Sequence, residues 1–279
     1  MRILITGANG QLGRALQGAL AGRELTLVDL PAVDVADRAT VLAAVAAARP
    51  ELVIHCAAYT DVDGCARNPE VAHRVNAHGT HNVALACLET DATLVHISTN
   101  EVFAGDNPAG YEEWMPLAPR NAYGRSKVAA EGYVRALLSR HYIVRTAWLY
   151  APGGRNFVHA ILKRGRETGV VRVVTDEVGN PTYAPDLAAA IAQLIESKQY
   201  GTYHFTNSGA CSRWAFAEEI LRLAEVEATN VPILSSAYPR ASTPPPFAAL
   251  HNRNGAAIGI VLRSWPEALA DYLRSELQS

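Results

Sequence analysis

Tyr123 and Lys127 stand four residues apart in Tyr123-Gly124-Arg125-Ser126-Lys127, a spacing that puts a phenol and an ammonium on one face of a helix. A free phenol titrates near ~10 and moves protons poorly at neutral pH. A cation beside it favours phenolate, so the pair is expected to lower the Tyr123 pKa. Such a phenol is equipped to protonate a carbonyl oxygen while hydride reaches the carbon. Ser98-Thr99 follows an apolar run at 93–97 and places the Thr99 hydroxyl where it can bond the same oxygen. Ligands of open α/β sheets bind at the carboxyl ends of the strands, which is where Thr99 falls.

A source of hydride is written at the N-terminus. Thr6-Gly7-Ala8-Asn9-Gly10-Gln11-Leu12-Gly13 lies between an apolar strand and a helical pattern. Gly7 permits the tight turn, Gly10 lets backbone approach a pyrophosphate, and Gly13 lets the helix pack on the strand. The helix start then turns unpaired N–H groups toward negative charge. Asp29, 22 residues after Gly7, ends the next strand and is placed to accept a ribose 2′-OH and to repel a 2′-phosphate. With Leu30 rather than a basic residue next, NADH, or dual use of NADH and NADPH, is favoured over NADPH alone. Arg14 is the residue placed to meet a 2′-phosphate. Asp34 either bonds the adenine amino group or caps the helix after it.

These residues need a frame, and the apolar pattern provides one. Strands are expected at 3–6, 25–28, 52–55, 93–97, 142–145 and 202–206. Helices are expected at 11–21, 39–48, 70–89, 122–139, 185–197, 213–225 and 266–277. The alternation predicts an α/β fold, a doubly wound parallel Rossmann sheet, with a small, irregular C-terminal substrate lobe. Residues 1–150 read as the dinucleotide-binding domain and 151–279 mainly as the lobe, with segments of 170–205 returning to the sheet. Pro239, Pro244, Pro245 and Pro246 make 239–246 a surface loop.

Composition removes other classes. In 279 residues, 25 basic and 27 acidic side chains leave a formal charge of −2, which argues against a nucleic-acid binder. No apolar run is long enough for a membrane span, and the start of the chain carries no signal-peptide pattern, so a cytoplasmic location is expected. The four cysteines form no Cys-x-x-Cys pair, and His78-x-x-His81 finds no third partner nearby, so no metal site is expected.

With Gly7, Gly10, Gly13, Thr99 and Tyr123-x-x-x-Lys127 together, the chain resembles the extended short-chain dehydrogenase/reductases. Within them it is most similar to the dTDP-4-dehydrorhamnose reductase family. The closer likeness rests on Ala57-Ala58-Tyr59-Thr60-Asp61-Val62-Asp63, Ser98-Thr99-Asn100-Glu101-Val102-Phe103, Arg145-Thr146-Ala147-Trp148-Leu149-Tyr150 and 179–187. The resemblance implies NAD(P)H-dependent reduction of the C4 ketone of a dTDP-4-dehydro-6-deoxy sugar, such as dTDP-4-dehydro-L-rhamnose. It assigns catalysis to Thr99, Tyr123 and Lys127. Gly10, Gln11, Leu12, Asp29, Asp34, Val35, Ala58, Tyr59, Thr60 and Ile97 would line the cofactor with Tyr123 and Lys127. Val62, Thr99, Asn100 and Trp148 would meet the sugar, the last through C–H groups packed on its indole. Asn76 resembles a residue supporting the site, with a solvated face as the alternative. The resemblance leaves a homodimer open.

The chain departs from the family pattern in three places. Asn100-Glu101 stands where Asp-Tyr is usual and leans toward the nucleotide-sugar 4,6-dehydratases and epimerases, but Asn100 has no acidic proton to give a leaving hydroxyl. Residues 243–250 lack the Arg-Pro pair of the family's diphosphate loop, with Arg240 displaced. Glu177 replaces a glutamine. A non-catalytic nucleotide-binding regulatory subunit is the rival of another class, and the intact Thr99, Tyr123 and Lys127 set speaks for an enzyme.

Overall fold

Continuous rather than alternating apolar runs belong to strands covered on both faces, and such runs pair here in parallel. The computed structural model describes residues 1–154 and 156–277. Strands β1 (Arg2–Thr6), β2 (Glu24–Val28), β3 (Leu52–His55), β4 (Thr93–Thr99), β5 (His141–Thr146) and β6 (Gly201–His204) form one six-stranded sheet in the order β6-β5-β4-β3-β1-β2. All neighbours are parallel. The register sets Thr6 beside Val28 and His55, and Thr99 beside Thr146, so the carboxyl ends converge on one edge.

Helices cover both faces. Ile3 and Ile5 of β1 pack with Leu12 and Leu16 of α1 (Gln11–Ala19) and with Leu187, Ile191 and Leu194 of α7 (Ala184–Ser197). Leu4 points the other way, into a layer shared by α2 (Arg38–Ala48), α4 (residues 69–90) and α5 (Ala122–Leu137). Helix α4 is α-helical over Pro69–Ala72 and Gly79–Thr90, with a π-helical segment at His73–His78 between them. Before it, α3 (Val62–Arg67) is capped by Asp61, whose carboxylate accepts from the Gly64 N–H at 2.9 Å.

Beyond β5 the chain builds a lobe with its own core. Helices α6 (Phe157–Thr168), α8 (Arg213–Leu223) and α9 (Trp265–Leu277) pack around Tyr150, Ile161, Phe216, Ile220, Leu269 and Tyr272. The strand pair Val170–Val174 and Thr229–Ile233 borders this core. Residues 239–246 hold no helix or strand. Among the described residues no helix is long and apolar enough to cross a membrane.

Candidate active site

The glycine loop is shaped by what a side chain would strike. Gly7 has φ +64°, and a Cβ there would lie 2.7 Å from the Ala57 nitrogen. A Cβ at Gly13 would collide with the Gly7 carbonyl oxygen. Gly10 caps α1 without a side chain, so no side chain covers the first-turn N–H groups. Beside them, Gln11 keeps a buried Oε1 without a hydrogen-bond partner among the described residues. The Asp29 carboxylate closes the loop, accepting from the Asn9 and Leu30 N–H groups at 2.8 Å each. Leu12 is buried in the core below.

Asp34 does not cap the helix after it. Its carboxylate accepts from the Ala36 N–H at 2.9 Å, while the cap of α2 is Asp37, which accepts from Ala39. Val35 is buried, and its carbonyl accepts from Asn82 Nδ2 at 3.0 Å. Ala58, Tyr59 and Thr60 follow β3 on the same edge. Asn76 is 1% exposed: its Oδ1 accepts from the Tyr59 N–H at 2.7 Å, and its Nδ2 donates to the Tyr59 carbonyl and to Ser126 Oγ. The π-helical segment thus ties the Tyr59 loop to the turn between Tyr123 and Lys127, and a solvated Asn76 is excluded.

Helix α5 begins hard against the turn after β4. Its cap, Asn121, accepts from the Gly124 N–H at 2.8 Å and donates through Nδ2 to Glu101 at 2.5 Å and to the Thr243 carbonyl at 3.2 Å. A side chain at Gly124 would strike the Glu101 carbonyl oxygen. This start brings half-buried Tyr123 to Thr99, whose hydroxyl hydrogen-bonds it. One turn on, Lys127 is 2% exposed and donates to the Ile97 carbonyl at 2.6 Å. Asn100 Nδ2 reaches the Ala248 carbonyl at 3.2 Å, joining this edge to the lobe.

The electrostatics correct one expectation. The Tyr123 phenol is pushed up rather than down, by burial first and then by the Glu101 carboxylate and the Cys65 thiol, against the Thr99 hydrogen bond. Lys127 spends its ammonium on the Ile97 carbonyl, and burial lowers its own pKa to about 8 against the pull of Glu131 and Cys56. Glu101 is also raised, by burial above all. The site therefore holds a neutral phenol at neutral pH, the protonation state that donates.

Against this edge the lobe sets charges that sequence reading underrates. Trp148, in the left-handed region at φ +46°, carries the Arg213 guanidinium 3.6 Å from its ring centroid. One indole face expected to receive sugar is thus taken by Arg213. Arg213 and Arg240 both lie 3.8 Å from Glu177. Arg240 and Ser242 also bond Asp63 of α3, the arginine at 3.2 Å, and Val62 stands half-buried beside it. Nothing local in Cys211-Ser212-Arg213 marks that arginine as a cleft residue.

Residues 1–278 match the family model described as RmlD substrate binding domain. The chain belongs to that family. The dTDP-4-dehydrorhamnose reductase of Mycobacterium tuberculosis is 38% identical over 288 residues, covering 100% of this chain and 94% of that protein. The solved dTDP-4-dehydrorhamnose reductase of Bacillus anthracis, in complex with NADP, matches with a TM-score of 0.95 at 38% identity, covering 98% of this chain and 99% of that one. Its counterpart from Clostridium acetobutylicum reaches a TM-score of 0.97 at 39% identity, with 100% of both chains covered.

Proposed function

We propose that this chain is an NAD(P)H-dependent reductase of the C4 ketone of a dTDP-4-dehydro-6-deoxy sugar, converting dTDP-4-dehydro-L-rhamnose to dTDP-L-rhamnose. The observation that carries it is the meeting of Thr99, Tyr123 and Lys127 on the sheet edge that also bears the Gly7–Gly13 loop. The turn suits a dinucleotide: its glycines leave no room for a Cβ, α1 starts without a side-chain cap, and Gln11 Oε1 is buried with no hydrogen-bond partner among the described residues. Gly7, Gly10, Gln11, Leu12, Gly13, Asp29, Asp34, Val35, Ala58, Tyr59, Thr60 and Ile97 would hold it. A reduced nicotinamide, when bound, supplies hydride.

The chain's own residues handle the oxygen. Thr99 and Tyr123 converge on one point, and Tyr123 gives its proton to the oxygen as negative charge develops there. Lys127, held by the Ile97 carbonyl, would hold the nicotinamide ribose. Val62, Asn100 and the open part of Trp148 border the sugar. Residues 1–150, joined by α7 and β6, act as the cofactor domain and the rest of 151–279 mainly as the nucleotide-sugar lobe, in a cytoplasmic enzyme.

Mixing the protein with NADH or NADPH and dTDP-4-dehydro-L-rhamnose should consume the reduced nicotinamide and yield dTDP-L-rhamnose. Tight nucleotide binding with no consumption across several keto sugars would instead identify a binding subunit. Cofactor choice has its own test. Asp29→Ala should raise the kcat/KM ratio of NADPH to NADH by about tenfold, because a carboxylate facing a 2′-phosphate is removed. An unchanged ratio would remove Asp29 from cofactor selection.

A further inference from the structure

Among the charged side chains around the cleft, Arg213 is anomalous. It opens α8, where Ser212 Oγ caps the helix by accepting from the Ala215 N–H at 3.0 Å. Its side chain is 23% exposed, yet none of its five guanidinium N–H donors has a hydrogen-bond acceptor among the described residues. The nearest carboxylate, Glu177, is 3.8 Å away, which is an ion pair without a hydrogen bond. Arg240, on the other side of Glu177, is spoken for by Asp63.

The guanidinium is nevertheless held in place. Trp148 lies 3.6 Å beneath it and Phe157 5.1 Å away. Stacking satisfies the cation through the ring's π face but uses no N–H, since the donors lie in the guanidinium plane. An oriented fork with free donors is the geometry that takes two oxygens of a phosphate. Burial lowers the Arg213 pKa to about 10, which still leaves it charged at neutral pH. In the neighbouring loop Pro244, Pro245 and Pro246 have no N–H to offer an anion.

We propose that Arg213 binds the diphosphate of the nucleotide sugar, with Trp148 serving as the platform that orients it. This rests on the function proposed above, which supplies a ligand whose negative charge is confined to its diphosphate. The indole acts mainly by fixing the cation.

The test is titration of the NADPH-loaded protein with dTDP, which carries the diphosphate and no hexose. Arg213→Gln should weaken dTDP about 10- to 100-fold and flatten the salt dependence of its Kd, while Arg213→Lys recovers part of the loss. NADPH affinity should stay within about twofold in both variants, which reports an intact fold. Equal dTDP affinity in wild type and Arg213→Gln would overturn the proposal. So would a loss with unchanged salt dependence and no recovery by lysine, which would make Arg213 a packing residue for Trp148. A loss seen only with the dTDP-sugar would assign the donors to the hexose and also overturn it. A wild-type protein that binds no dTDP would instead sink the substrate reading beneath it.

Discussion

Tyr123→Phe should lower kcat by about 10²- to 10⁴-fold and leave NADPH affinity within about twofold. The substitution deletes one hydroxyl and keeps the ring that packs beside Cys65, Ala72 and Ala122. It removes the one group in the Thr99–Tyr123–Lys127 set that is neutral at neutral pH and acidic enough to pass its proton to a ketone oxygen, since the Thr99 hydroxyl can only hydrogen-bond it. Steady-state rates with fluorescence titration of the cofactor separate the two quantities, and near-normal turnover would take Tyr123 out of the mechanism. The pH profile adds an independent sign. A buried lysine at about 8 is charged below that value and neutral above it, so the rate should fall as pH climbs through about 8. Lys127→Met should lose that limb along with most of the activity.

The parts of the site written in contiguous residues are legible without coordinates. The strand at 52–55 is found where periodicity puts it, and the Gly7–Gly13 loop joins a strand to a helix as its spacing requires. Tyr123 and Lys127 fall on one helix because four residues make about one turn. What fails to show is decided by distant partners. Asn76 reads equally as solvated or supporting until a π-helical segment turns it onto Tyr59 and Ser126. The phenol pKa follows burial and Glu101, neither of which is visible in Tyr-x-x-x-Lys. In the lobe, α6 does carry its signal: Asn156 caps it, and Val158, Ile161, Leu162 and Gly165 line its buried face. Gly153-Gly154 draw attention to a turn instead. The strand Thr229–Ile233 contains Pro232, which argues against a strand until the pairing shows only two strands, leaving one edge without a ladder. Arg213 is charged and begins a helix, and only the fold lays it on Trp148.

Glu131→Ala should destabilise the protein by about 3–5 kcal/mol, the range for stranding one member of a buried ion pair. Arg145 is 1% exposed and donates to Glu131 through Nε at 2.9 Å and an Nη at 2.8 Å, with its other Nη on the Glu113 carbonyl at 3.1 Å. Ser98 Oγ donates to the same carboxylate at 2.6 Å. The network therefore sits one residue before Thr99 and one helical turn after Lys127, under the reacting groups. Replacing both charges, Glu131→Leu with Arg145→Met, should cost less than Glu131→Ala alone, since no buried charge is left unpaired. The acid limb has a definite sign. Burial raises the Glu131 pKa, but the Arg145 hydrogen bonds, the charges of Arg145 and Arg135 and the Ser98 hydroxyl outweigh it and hold the carboxyl below its usual range. A depressed carboxyl contributes stability that is present above its unfolded value of about 4.3 and is lost as pH falls through the lower folded value. Urea midpoints for wild type and Glu131→Ala should thus converge as the solution is acidified from neutrality past that range. A gap of under about 1 kcal/mol at neutral pH, or a double variant as unstable as the two single losses added, would show that the pair is not what holds β4 and α5 in register beneath Thr99 and Lys127.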